Sequence, residues 1–151
     1  MTTIKIFDQK QLPYGKLSNN ALTPFKLDGK FWNSVSNYVY SNLLFGTKKT
    51  ILSNTYPNKI YPLFKKLYEQ NKTATIIKIL EIGITTLAEK SSKFKDTLLK
   101  TGNKKLYYQS NDLTLGKNED WDGENLLGIV YENIRRTLRS EKNTEILSQT
   151  K

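Results

Sequence analysis

The strongest periodicity in the chain lies between residues 73 and 90, in the segment TATIIKILEIGITTLAEK. Apolar residues recur there every three or four positions, which places them on one face of an α-helix. The residues on that face are Ile76, Ile77, Leu80, Ile84 and Leu87. We therefore predict a long amphipathic helix that forms the centre of the core.

Four further helices are predicted from shorter apolar stripes and from residues that favour helix ends. One begins with Asn33 or Ser34 as its N-cap and ends at Gly46. A second covers residues 62–71, with a proline at its first position. A third, SSKFKDTLLKTG, has a serine cap and a glycine stop, and the last begins after Gly123.

Short extended segments complete the predicted fold. TIKIF and PFKLDGKFW, near the N-terminus, are separated by turn residues, and Asp28-Gly29 is typical of a tight hairpin. KKLYYQS predicts a further strand. The fold class is thus a single α+β domain, predominantly helical, with a short N-terminal β element over residues 1–140. The polar segment 141–151 is expected to be a disordered tail.

Composition narrows the chemistry of this 151-residue chain. It has no cysteine and no histidine, which argues against thiol nucleophiles, serine triads and zinc hydrolysis, and we predict neither a metal nor a cofactor. The net charge of +10 favours polyanionic or phosphorylated partners. No stretch approaches the roughly 20 apolar residues of a membrane span. We expect an intracellular, cytoplasmic protein, and the abundance of Lys, Asn and Ile suggests an AT-rich genome such as that of a large DNA virus.

The segment 111–128, NDLTLGKNEDWDGENLLG, gathers carboxylates, glycines and amides directly before a helix. A helical core does not require this mixture, so one interpretation is a loop that holds a ligand. The other interpretation is ordinary turn and cap chemistry, which uses the same residue types.

Several fragments occur in the order seen in the NADAR family, also called YbiA-like, and the chain resembles that family over residues 13–138. They are PYGKLSNN, PFKLDGKFWNSVSNYVY, TLLKTGNKKLYYQSND, LGKNEDWDGENLLG and IRRTL. Members of the family cleave N-glycosidic bonds, either in phosphorylated ribosyl intermediates of riboflavin synthesis or in ADP-ribosylated guanine of nucleic acid. The resemblance implies a pocket for ribose linked to phosphate, and a nucleotide or ADP-ribose-like small molecule as the partner.

The resemblance also implies a set of site residues. Glycines of the 111–128 loop would let the backbone approach a ligand, its carboxylates would accept ribose hydroxyls, and an arginine of the last helix would contact phosphate. The ligand-binding candidates are Asn19, Trp32, Tyr38, Gly116, Asp120, Asp122, Gly123, Asn125 and Arg135, and the catalytic candidates are Asp112 and the degenerate position Ser36. For Trp32 and Tyr38 the residues favour a place in the core or in a pocket wall over a stacking role, whereas Arg135 is equally explained as part of a solvated basic face.

Departures from the family pattern bear on catalysis. Ser36 stands where the family has a carboxylate, while Leu43 and Leu87 stand where it has lysines. A serine cannot replace a carboxylate beside an oxocarbenium-like centre, and a leucine cannot form a Schiff base. Two function classes remain: an N-glycosidase that uses loop aspartates, and a binding protein with weak or absent catalysis.

The positive charge suggests an alternative to these two classes, a basic protein that binds nucleic acid. Lysines between residues 90 and 105 interleave with Tyr107 and Tyr108, and this combination is typical of single-strand nucleic-acid binders. A structural or interaction protein, for example a component of a viral assembly, belongs to the same alternative.

Overall fold

The computed structural model describes residues 3–6, 10–44, 46–67 and 73–149, and over these ranges the chain is an α+β domain in which helices predominate. This confirms the predicted fold class. A short 3-10 turn spans Gly15–Leu17. The strands are β1 (Thr3–Ile6), β2 (Phe25–Leu27), β3 (Lys30–Trp32) and β4 (Lys105–Tyr108). The helices are α1 (Val35–Asn42), α2 (Gly46–Ser53), α3 (Pro57–Leu67), α4 (Thr73–Lys90), α5 (Ser92–Lys100) and α6 (Leu126–Gln149).

Helix α4 lies at the centre of the core, as its periodicity predicts. Leu80, Ile84 and Leu87 have no exposed surface, and α4 packs against α1, α5 and α6. Gly83 is part of this packing, because a Cβ there would lie 2.6 Å from the ring of Tyr38. The glycine therefore lets the tyrosine ring of α1 lie directly on α4.

Two small sheets flank the helices. β2 and β3 form the predicted antiparallel hairpin, and both turn residues, Asp28 and Gly29, have positive φ angles of 55° and 74°, as a type I′ turn requires. β1 pairs in parallel with β4, so that Thr3 lies beside Lys105. Alternation buries one face of β1 and exposes the other.

The helices between residues 34 and 67 differ from those predicted. Ser34 caps α1 by accepting a hydrogen bond from the Asn37 N–H at 3.2 Å, as expected, but α1 already ends at Asn42. Gly46 then begins α2, a helix that was not predicted. α3 begins at Pro57, so Pro62 lies inside the helix. The end of the predicted helix, residues 68–71, lies outside the described residues.

Helix α6 is longer than predicted. Its backbone remains helical to Gln149, through most of the segment 141–151 that the sequence analysis assigns to a disordered tail. The segment contains neither glycine nor proline, so helical hydrogen bonding can propagate from the ordered part of α6. No described helix is both long and apolar enough to cross a membrane.

Candidate functional site

A cavity of about 150 Å³ opens between α1, α3, the start of α4 and the loop after β4. Its walls are mainly apolar and aromatic. The ring of Tyr40 stacks on that of Tyr61, with centroids 6.0 Å apart, and lies 4.7 Å from that of Phe64. The lining residues are Val39, Tyr40, Leu43, Tyr61, Phe64, Lys65, Ile76, Asp112, Thr114 and Leu115.

Asp112 places a buried carboxylate in this cavity. Its Oδ1 accepts hydrogen bonds from the backbone N–H groups of Thr114 at 3.0 Å and Leu115 at 3.1 Å. Its Oδ2 accepts the hydroxyl of Tyr40. These bonds occupy three of the roughly four acceptor positions of a carboxylate. The carboxylate therefore shapes the loop, and a ligand hydroxyl must use the remaining position or displace Tyr40.

Burial sets the protonation state of the tyrosines around Asp112. The pKa of Tyr40 is raised well above its usual value, first by burial and then by the nearby negative charge of Asp112. The same two causes, in the same order, raise the pKa of Tyr61. Both hydroxyls therefore stay protonated at neutral pH, and Tyr40 acts as a hydrogen-bond donor.

Lys65 supplies positive charge to the same cavity. It is exposed on α3, one turn after Tyr61, so its ammonium can reach solvent or a ligand group outside the cavity. The cavity thus combines an aromatic wall, a buried carboxylate and an exposed cation.

Ser36 lies on the face of α1 that also carries Tyr40, because the two residues are four positions apart. Ser36 is fully buried; its hydroxyl donates to Oδ1 of Asn20 at 2.5 Å and its N–H donates to the backbone oxygen of Asn19 at 2.8 Å. The Oδ1 atom of Asn19 is buried and has no hydrogen-bond partner in the described structure. The fold thus brings two candidate residues, Ser36 and Asn19, into one polar cluster, separate from the lining around Asp112.

Trp32 and Tyr38 pack within the aromatic core. Their rings cross at 83° with centroids 5.2 Å apart, and Phe25 packs on the other edge of Tyr38. Both residues are buried and neither lines the cavity at Asp112. These contacts support the interpretation of Trp32 and Tyr38 as core residues.

The glycines of the 111–125 loop accommodate the protein's own backbone. A Cβ on Gly116 would lie 2.4 Å from the carbonyl oxygen of Tyr108. One on Gly123, whose φ is 128°, would lie 2.2 Å from the carbonyl oxygen of Gly116. Asn125 fastens the loop to β4 by accepting from the Tyr108 N–H at 3.0 Å and donating to the Leu106 carbonyl at 3.1 Å. The close approaches predicted for a ligand are therefore made by the protein's own backbone, from β4 at Gly116 and from the loop at Gly123.

Asp120 and Asp122 lie at the exposed tip of the loop, away from the cavity. Their backbone N–H groups both donate to Oδ1 of Asn118 at 3.0 Å, and both residues are exposed to solvent. Between them, Trp121 has a φ of 66° and is 58 % exposed. A bulky residue in this left-handed conformation costs about 1–2 kcal/mol.

Arg135 is buried rather than on a solvated face. Its Nη1 donates to the hydroxyl of Thr101 at 2.8 Å, at the C-terminal end of α5, where the helix dipole favours a cation. Burial lowers its pKa, and the neighbouring charge of Arg139 lowers it further. Arg139 itself donates to the carbonyl of Gly102. The cavity at Asp112 includes neither Arg135 nor Ser36, so the predicted residues do not form one site: they are spread over the cavity, the polar cluster at Ser36, the aromatic core, the loop with its exposed tip, and the end of α5.

Sequence reasoning missed Tyr40, Tyr61, Phe64 and Lys65. Tyr40 follows Ser36 by one helical turn, a spacing that places it on the same face, but a tyrosine in an apolar helix is more often a core residue. Tyr61, Phe64 and Lys65 share helical spacing on α3. Only the packing of α3 against α1 brings them to Asp112.

The fold is an α+β domain of YbiA type. The solution NMR structure of the Escherichia coli protein YbiA superimposes with a TM-score of 0.79 over 93% of this chain and 87% of that one, at 23% sequence identity. The chain therefore has the fold of YbiA, and the resemblance to the NADAR family is confirmed at the level of the fold.

Curated relatives come from two invertebrate viruses. The uncharacterized protein 113L of Invertebrate iridescent virus 3 is 34% identical over 146 residues, which are 96% of this chain and 18% of that protein. The uncharacterized protein 155L of Invertebrate iridescent virus 6 is 29% identical over 135 residues, which are 88% of this chain and 53% of that protein. The chain thus spans about half of one relative and less than a fifth of the other. No family model matches the chain.

Proposed function

We propose that the domain binds a small molecule of the ribose-phosphate or ADP-ribose class in the cavity at Asp112, and that it has little or no N-glycosidase activity. The observation that carries the binding proposal is the buried Asp112 carboxylate, held in place inside an aromatic cavity. Such a combination of apolar walls and a few fixed polar groups is typical of ligand sites.

The size of the cavity decides which part of the ligand enters. Pockets that enclose whole drug-sized ligands measure roughly 300–1,000 Å³, whereas this one measures about 150 Å³. It therefore receives one ring, a ribose or a base, against Tyr61 and Phe64. The phosphate stays outside, where Lys65 provides the cation.

The absence of a catalytic carboxylate at position 36 supports the second half of the proposal. The Ser36 hydroxyl is bonded to Asn20, and Leu43 presents a hydrocarbon surface in the cavity. Asp112 is held by Tyr40 and by two amides. Loss of a positioned acid or base typically lowers a rate by about 10²- to 10⁴-fold.

Ligand binding is tested by thermal unfolding with ADP-ribose and with ribose 5-phosphate. A ligand present at about one hundred times its Kd stabilises the folded state by about 2.7 kcal/mol, which is a Tm increase of about 5–10 °C for a domain of this size. Lys65→Ala should reduce the shift, and Lys59→Ala, an exposed lysine of α3 outside the cavity lining, should retain it. No shift for the unmodified protein at millimolar ligand would refute the binding proposal.

Catalysis is tested separately by product release from ribosyl-phosphate and ADP-ribosyl-guanine substrates. We expect no turnover above the uncatalysed rate. Robust turnover that is lost in Asp112→Ala would refute the inactive assignment and would make the loop aspartate the catalytic residue, while leaving the binding site unchanged.

A further inference from the structure

The tip of the 111–125 loop and the β1–β4 sheet form a second surface, which differs from the cavity in its chemistry. Trp121 projects there from a left-handed backbone position, and the ring of Tyr107 packs against it with centroids 4.6 Å apart. Lys117 stabilises the pair: its Nζ donates to the carbonyls of Trp121 and Gly123 at 3.2 and 3.0 Å and lies 5.6 Å from the indole centroid. We call Tyr107 and Trp121 the ring platform.

Positive charge runs beside the ring platform on the outer face of the sheet. The parallel register places Lys5 beside Tyr107 and Thr3 beside Lys105, and strand alternation turns all four side chains to the same face. Lys104, the residue before β4, is also exposed. Lys105 and Tyr107 are two residues apart in an extended strand, so their Cα atoms lie roughly 7 Å from each other along this face.

A groove of about 250 Å³ adjoins the ring platform, and its lining adds hydrogen-bonding groups. Gln109 presents an amide, which donates and accepts, and Glu119 presents a carboxylate, which accepts. Asn118 offers the donors of its side-chain NH₂ group, since its Oδ1 already accepts from two backbone N–H groups of the loop. These groups match the edges of a nucleobase. The charges also favour one orientation of a bound strand: its phosphates would lie on the sheet, beside Lys5 and Lys105, and away from the carboxylate of Glu119 on the loop.

We propose that this face binds single-stranded nucleic acid, with one base stacked on the ring platform and the adjoining phosphates beside Lys5 and Lys105. Stacking requires an exposed base face, which a single strand offers and a duplex covers. The sequence analysis assigned this role to Tyr107 and Tyr108, but Tyr108 is only 5% exposed, and Trp121 takes its place. The proposal does not depend on ligand binding in the cavity at Asp112.

The protein's two tryptophans provide a direct test. Trp121 is exposed and Trp32 is 4% exposed, so a bound base should quench the fluorescence of Trp121 and leave that of Trp32. Titration with a short single-stranded oligonucleotide at low salt should give saturable quenching. Trp121→Ala should weaken binding, measured by anisotropy of a labelled strand, between about 5-fold and 150-fold. Phe31→Ala removes an exposed ring outside the ring platform and should leave affinity unchanged.

Salt dependence tests the lysines. The logarithm of affinity should fall linearly with the logarithm of salt concentration, and Lys105→Ala should reduce the slope by about 0.7, the value for one phosphate contact on a single strand. Lys59→Ala is the matched control on α3. Any of three results would overturn the proposal. These are equal affinity for a duplex, an unaltered affinity in Trp121→Ala, and binding of a free mononucleotide as tight as that of the oligonucleotide. Excess ribose 5-phosphate, which has no base to stack on the ring platform, should not displace the strand, and this separates the result from that for the cavity.

Discussion

The hydrogen bond between Tyr40 and Asp112 makes a measurable contribution to stability, and Tyr40→Phe removes it without changing the packing of the ring. The Oδ2 atom of Asp112 then loses its hydroxyl donor, while Oδ1 keeps its two backbone donors. A hydrogen bond to a charged group contributes about 1.5–3 kcal/mol. Because the carboxylate lines the adjoining cavity, which water can enter, we expect the lower part of this range, about 1.5–2 kcal/mol.

Urea unfolding of Tyr40→Phe measures this quantity. The midpoint should fall with an unchanged m-value, and Tm should fall by about 2–8 °C. Tyr61→Phe is the matched control in the same cavity, because its hydroxyl makes only a 3.4 Å contact to the Asn111 carbonyl at an exposed site. A loss below about 0.3 kcal/mol in Tyr40→Phe, or an equal loss in both variants, would show that the carboxylate does not depend on this donor.

Two further predictions concern the loop glycines and alkaline pH. Gly123→Ala should destabilise the protein by about 2–4 kcal/mol, because its Cβ would meet the Gly116 carbonyl and its φ is 128°. Gly102 is the control, since it has a φ of 66° but open space around its Cβ position. Gly102→Ala should lower the free energy of unfolding by only about 1 kcal/mol in the same urea assay. Burial raises the folded-state pKa of Tyr40 and Tyr131. Above about pH 10 each of these tyrosines therefore ionises in the unfolded state and stays protonated in the folded state. The free energy of unfolding should fall there by about 1.4 kcal/mol per pH unit for each such tyrosine, and it should be unaffected by them below that pH. Tm measured from pH 8 to 11 should fall steeply above pH 10, and a flat profile would contradict the assignment.

The elements that the sequence predicted well are those with strong local signals. α4 has an apolar stripe over its whole length, α5 has Ser91 as a cap, and the β2–β3 turn has Asp28-Gly29. α2 was missed because GTKKTILS contains only two apolar side chains, at adjacent positions, and shows no helical period. Its helix depends on packing against α1, which a local pattern does not show.

The candidate site was predicted only in part, for a similar reason. Asp112 was identified from the polar loop, but the loop itself did not reveal Tyr40 as its partner, 72 positions away in sequence. The glycines were singled out as positions where the backbone could approach a ligand, yet the atoms that approach them are backbone atoms of β4 and of the loop. A glycine in the sequence predicts that some group approaches the backbone closely, but only the tertiary structure shows which group it is.

The parallel pairing of β1 with β4 has a consequence for how the chain assembles. Thr3 finds its partner only after a loop of roughly 100 residues has closed, and a tenfold longer loop costs about 2 kcal/mol more in chain entropy than one of about ten residues. The four residues of β1 offer few bonds to offset that cost, so folding favours closure after β4 has already packed on α6. We therefore expect β1, the strand that carries Lys5, to pair late in folding and to be among the first described elements that local opening releases.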